Sequence, residues 1–171
     1  MTANIVLTGI MGCGKSTVGK LLSKQLKNYI FVDTDDVIVD LEGMTIPEIF
    51  SKKSEQYFRN LEEGVIEELS QEENLIIALG GGVFESEKNR NNLLESGDVI
   101  YLKTDIDTIY ERIKSDKNRP LLNCENPKEK LKTLMDSREQ NYLKADYIIE
   151  TDNKTPEDIV GEIIDILELQ E

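Results

Sequence analysis

Between a short apolar run, Asn4 to Thr8, and a stretch where Val18, Leu21, Leu22 and Leu26 recur at helical spacing stands Gly9-Ile10-Met11-Gly12-Cys13-Gly14-Lys15-Ser16. These eight residues satisfy GxxxxGK[ST] in the context the pattern needs, strand before and helix after. The glycines let backbone N–H groups curl around an anion without Cβ clashes, and the helix opening near Lys15 adds the positive end of its dipole. Gly12, Cys13, Gly14, Lys15, Ser16 and Thr17 are therefore expected around the phosphates of a nucleotide. Lys15 is expected to reach the β- and γ-phosphates, and the Ser16 hydroxyl to ligate a bridging Mg²⁺. ATPases, GTPases and kinases share such a loop, so it does not identify an acceptor. A guanine-specific site would require NKxD, which the sequence lacks, and adenine is the expected base.

Four more apolar runs follow: Tyr29 to Val32, Leu75 to Leu79, Val99 to Leu102 and Tyr147 to Ile149. Short, continuously apolar strands separated by helical stretches predict a parallel sheet covered on both faces, hence an α/β fold. Tyr57, Leu61, Val65 and Leu69 form one helical stripe, and Thr155-Pro156-Glu157-Asp158 reads as an N-cap with proline at the first helical position. Ser115 to Pro127 concentrates Asn and Pro without a sustained period and is expected to be a mobile loop. At 171 residues, without repeats or linkers, the chain is expected to make one domain.

Thirty-four acidic against twenty basic residues give a net charge of -14, which disfavours nucleic acid and anionic membrane surfaces as partners. The same field repels ATP and any acidic substrate, so a local cluster of Arg, Lys and backbone N–H groups must reverse it. The first residues carry no basic stretch before an apolar run, and no segment approaches membrane-spanning length, so a soluble, unprocessed chain is expected. Cys13 and Cys124 lack metal or disulfide spacing, which fits a reducing cytoplasm. Histidine is absent, so any proton acceptor must be another group.

Asp33-Thr34-Asp35-Asp36 follows the second strand at its carboxyl end, where open α/β sheets place ligands. Such a run can be a turn or a helix cap. Alternatively one carboxylate, Asp33, helps to hold Mg²⁺ and another, Asp35, accepts the proton of a substrate hydroxyl. Gly80, Gly81 and Gly82 close the third strand, either as a tight turn or because a ligand approaches the backbone there. Arg59, Arg119 and Arg138 are solvated surface residues taken singly; together they supply what an acidic chain needs to hold an anion.

Read in order, GIMGCGKST, DTD at Asp33 to Asp35, FRNLE around Arg59, LGGG, RPLL at Arg119 to Leu122, and Arg138 resemble shikimate kinases over nearly the whole chain. The resemblance implies a P-loop three-layer α/β/α fold of the nucleoside-monophosphate-kinase type. Its five-stranded parallel sheet would run in the order 2-3-1-4-5, with a substrate-binding helical segment at about 34–62 and a mobile lid at about 113–127. It implies ATP-dependent phosphorylation of the shikimate 3-hydroxyl in aromatic amino-acid (chorismate) biosynthesis, with Mg²⁺, by a cytoplasmic monomer. By the same resemblance Asp35 contacts the ring hydroxyls and acts as base, and Asp33 organises Mg²⁺ through water. Arg59 and Arg138 grip the shikimate carboxylate, and Gly80, Gly81 and Gly82 offer N–H groups. Arg119 meets the transferring phosphate and Arg112 stacks on adenine. The segment Arg138 to Asp146 lacks the proline of the family pattern and is one residue short, so its helix is expected to end differently. The alternatives are another small-molecule P-loop kinase, such as a gluconate kinase, or a non-catalytic ATP-binding module.

Overall fold

The central apolar runs, Asn4–Thr8 and Leu75–Ala78, become strands buried on both faces, while the edge runs Ile30–Asp33 and Tyr147–Glu150 stay partly exposed, and the order in which the strands pair sets where the loops emerge. The computed structural model describes residues 3–116 and 124–169; Arg119, and with it residues 117–123 of the stretch expected to form a lid, lies outside them. The strands are β1 (Asn4–Thr8), β2 (Ile30–Asp33), β3 (Leu75–Ala78), β4 (Gly97–Lys103) and β5 (Tyr147–Glu150). All pair in parallel, in the order β2-β3-β1-β4-β5. The helices are α1 (Lys15–Gln25), α2 (Thr34–Glu42), α3 (Ile46–Lys52), α4 (Glu55–Leu69), α5 (Glu87–Ser96), α6 (Ile106–Ile113), α7 (Pro127–Tyr142) and α8 (Pro156–Ile166), with a 3₁₀ turn at Val83–Glu85. They cover both faces of the sheet, as continuous apolar strands require.

β1 is central and wholly buried, and Val6, Leu7, Ile76, Ile77, Val99 and Ile100 form the heart of the main core. A second, smaller cluster of Ile38, Ile49, Phe58 and Val65 joins α2, α3 and α4 to one another. That cluster gives the helices beyond β2 a rigid base of their own.

Local signals set the element ends. Asp33 caps α2 by accepting from the Asp35 N–H at 3.0 Å, and Gly43 ends the same helix in the left-handed region at φ 61. Capping boxes open α3 (Thr45 with Glu48) and α8 (Thr155 with Asp158), each with a proline in the first turn. The last is the arrangement its sequence predicts.

Candidate active site

Every charged group discussed below sits at the carboxyl end of the sheet, because β1, β2 and β3 all deliver their following loops there. The loop after β1 turns through positive φ at Gly9 (144), Gly12 (79) and Gly14 (103), conformations in which a side chain would be strained. It delivers Lys15 as the first residue of α1, whose first turn carries no acidic residue to offset its positive end. Lys15 is buried, and its Nζ donates to Gly9 O at 2.7 Å and Ile10 O at 3.0 Å and lies 3.6 Å from Cys13 Sγ. The ammonium thus ties its own loop closed. The Cys13 N–H donates to Ile10 O at 3.3 Å, within the loop.

Next to the loop, Ser16 Oγ donates to Asp33 Oδ2 at 2.6 Å, while Asp33 Oδ1 holds the start of α2. One carboxylate therefore serves as helix cap and as neighbour to the phosphate loop, so the two readings of the acidic run are not exclusive. Asp35 follows two residues along, half-buried. A cavity of about 510 Å³ is lined by Gly12 to Thr17, Asp33, Asp35, Gly80 and Gly81, and at its far end by Arg112. Arg112 is exposed and donates to Gly12 O at 3.1 Å. Asp116, Lys154 and Pro156 line the same cavity, and no sequence signal singled them out as ligand contacts. Pro156 is legible only as a helix starter, and its place beside the nucleotide loop follows from α8 packing on α1.

Across the glycine run lies a second cavity, about 430 Å³, lined by Arg59, Glu62, Gly82, Asn89 and Arg138 among others. The three glycines are fitted to three charged side chains. A Cβ on Gly80 would lie 2.7 Å from Asp35 Oδ1, one on Gly81 would lie 3.3 Å from Arg138 Nη1, and one on Gly82 would lie 2.8 Å from Arg59 Cζ. None of the three glycines has positive φ. Close approach, rather than backbone conformation, is what requires glycine there. The Gly80 N–H is already engaged, donating to Thr34 Oγ1 at 2.9 Å.

Glu62, on α4 one turn after Arg59, is only 2% exposed, and its Oε2 accepts from Arg59 Nη1 at 2.6 Å. Burial pushes its carboxyl above the usual range; Arg59 pulls it back, Asp35 pushes it up further, and Arg138 pulls it down. For Arg59, burial works against the charge, but Glu62 and then Glu55 outweigh it, so its pKa stands above the ordinary value. On α7, Arg138 is 8% exposed, and one turn later Tyr142 Oη donates to Gly81 O at 2.6 Å with the Arg138 charge close by. Tyr142 thus joins the arginine's helix to the glycine run. Without the family's proline after Arg138, α7 runs on to Tyr142, with Leu143 as C-cap.

The sheet order, with a phosphate loop on one side of the glycine run and a cavity holding two arginines on the other, is the arrangement of a small-molecule P-loop kinase. The comparisons with known proteins narrow the class. The sequence profile of the family described as shikimate kinase matches residues 11–168. A shikimate kinase of Thermodesulfovibrio yellowstonii is 45% identical over 161 residues, covering 94% of this chain and 92% of that protein. Among solved structures, shikimate kinase from Acinetobacter baumannii in complex with shikimate superposes with a TM-score of 0.94 at 40% identity, covering 98% of this chain and 94% of that one. The Aquifex aeolicus shikimate kinase structure gives 0.84 at 40% identity, covering 96% of each chain. The chain belongs to the shikimate kinase family, whose members use ATP as phosphoryl donor. Among the described residues, no helix is long and apolar enough to cross a membrane.

Proposed function

We propose that this protein moves the γ-phosphate of ATP to the 3-hydroxyl of shikimate, a step of aromatic amino-acid biosynthesis, with its own residues in the following roles. The observation that carries the acceptor's chemistry is the convergence of Arg59 and Arg138, from different helices, on Gly82 and Gly81 beside the phosphate loop. Two planar guanidinium groups suit bidentate binding of a carboxylate, and the glycines leave room for those two side chains to approach.

Gly12 to Thr17 and the α1 N-terminus hold the donor's phosphates, with Lys15 shifting from Gly9 O and Ile10 O to meet them. Arg112 takes the face of the adenine. Asp35 orients the acceptor's ring hydroxyls and accepts the proton released as the new P–O bond forms. Gly80, Gly81 and Gly82 form the floor between the substrates. Arg119 balances the charge of the transferring phosphate.

Mg²⁺ fits the donors present. Ser16 and Asp33 offer a hydroxyl and a carboxylate, the hard oxygen ligands it accepts. Among the described residues no cluster of three His, Cys, Asp or Glu is placed to hold a metal, in keeping with an ion held largely by water and phosphate oxygens. When bound, Mg²⁺ offsets the negative charge of the β- and γ-phosphates. A coupled assay of ATP consumption with shikimate, gluconate and nucleoside monophosphates tests the proposal. Turnover with shikimate alone is expected, and preference for gluconate would overturn it.

A further inference from the structure

Glu62 is the least solvated carboxylate of the acceptor cavity, and its surroundings are balanced only while that cavity holds no anion. Its Oε2 is bound to Arg59, and its Oε1 would lie 3.3 Å from a Cβ on Gly80, the same point that Asp35 Oδ1 approaches to 2.7 Å. Two carboxylates thus converge on one glycine. The charged groups around Glu62 are Arg59 on its own helix, itself shared with Glu55 at 3.5 Å, Asp35 from α2 and Arg138 from α7, with Glu63 of its own helix, which accepts from Ser86 Oγ, and Glu85 of the 3₁₀ turn lining the same cavity. Two guanidinium charges stand against two carboxylates at the centre of this set.

We infer that Glu62 takes up a proton from solvent when an anionic acceptor binds, and so releases Arg59 to the acceptor's carboxylate. The inference rests on the proposal that Arg59 and Arg138 hold that carboxylate. A third negative charge between the arginines competes with Glu62 for Arg59 and displaces water, and both effects favour the neutral form of the group that is already least exposed. Asp35 is half-buried and keeps more solvent, so the proton goes to Glu62. Burial already holds the Glu62 carboxyl above its ordinary value, and the acceptor's charge acts in the same direction. Neutral Glu62 still accepts a hydrogen bond from Arg59 through its carbonyl oxygen, so Arg59 stays positioned while its charge is free for the acceptor. Glu62 is therefore a positioning residue with a linked proton, and no substrate bond is broken by its titration.

Titration calorimetry of the whole protein with shikimate, in buffers of different ionisation enthalpy between about pH 5.5 and 7.5, counts the protons taken up. The expected result is between about 0.2 and one proton per shikimate bound. Uptake should vanish with the neutral amide of shikimate, vanish in Glu62→Gln, and persist in Asp35→Asn. Binding without uptake in the unmodified protein, or uptake that survives Glu62→Gln, overturns the inference. The comparison of shikimate with its amide stands even if a variant fails to fold. Absence of both saturable heat and turnover with shikimate would instead remove the acceptor assignment, and the inference with it; normal turnover without proton uptake removes the inference alone.

Discussion

The Arg59 guanidinium lies so close over Gly82 that a Cβ there would stand 2.8 Å from Arg59 Cζ. The missing methyl is therefore a specification of the acceptor cavity. Gly82→Ala should push Arg59 off the glycine run and raise the dissociation constant for shikimate by about tenfold or more, while ATP binding stays within about twofold. Calorimetry with each ligand separately decides this, and an equal loss for both would place Gly82 in the nucleotide site.

Arg59→Lys and Arg138→Lys keep the charge but lose the planar pair of donors. Each should weaken shikimate binding by about tenfold, because an ammonium cannot replace a bidentate fork. Unchanged affinity in both variants would move the carboxylate site elsewhere.

Lys15 ties its own loop through Nζ bonds to Gly9 O and Ile10 O, and its proposed second task is to meet phosphate. Lys15→Met should reduce turnover by about a thousandfold or more through lost phosphate contact. It should also lower the melting temperature by a few degrees, roughly, since two loop carbonyls lose their donor. Near-normal turnover would refute the phosphate-loop assignment.

Much of this arrangement is legible from the chain. The glycine loop announces itself by spacing, and the buried strands by unbroken apolar runs. Their ends are less legible because hydrogen bonding, not hydrophobicity, sets them. The Tyr29 N–H turns back to Leu26 O at 2.9 Å, so β2 begins at Ile30, and polar Gly97 and Asp98 join β4 by pairing with Asn4 and Ile5. The deeper omissions are Glu62 and Tyr142. Glu62 sits within FRNLE yet reads as one more acid on an acidic helix, and only the packing of α4 beside the glycine run buries it. For Tyr142 a signal was present: Leu131, Met135, Arg138 and Tyr142 recur at helical spacing and are all buried. An arginine inside an otherwise apolar stripe marks a buried charge.

Tyr142→Phe tests that connection. The ring should keep its place 5.1 Å from that of Tyr101, while the bond from Oη to Gly81 O is lost. We expect destabilisation of about 1–2 kcal/mol and a several-fold rise in KM for shikimate with KM for ATP unchanged. A variant identical to the parent in both respects would make the hydroxyl incidental.

Alkaline pH should unfold the protein through its buried tyrosines. Burial raises both Tyr101 and Tyr142, the first with added repulsion from Glu139, the second with partial relief from Arg138. A group whose folded pKa lies above its unfolded value of 10.0 contributes stability that is fully present below that pH and lost as pH rises toward the folded value. Phenolate absorbance at 295 nm should therefore rise in two stages, exposed tyrosines first and these two together with loss of helical circular dichroism. A single smooth titration of all six tyrosines with the fold intact would contradict it.

The phosphate loop and the glycine run leave adjacent strands, since β1 and β3 pair with Leu7 opposite Ala78 and the Leu79 N–H donates to Leu7 O at 3.0 Å. The two loops are thus anchored to one ladder whose strands stand about 4.8 Å apart. Their outer turns can vary, but separating their anchor points means parting β1 from β3, the centre of the core, so that spacing cannot drift by degrees without loss of the fold.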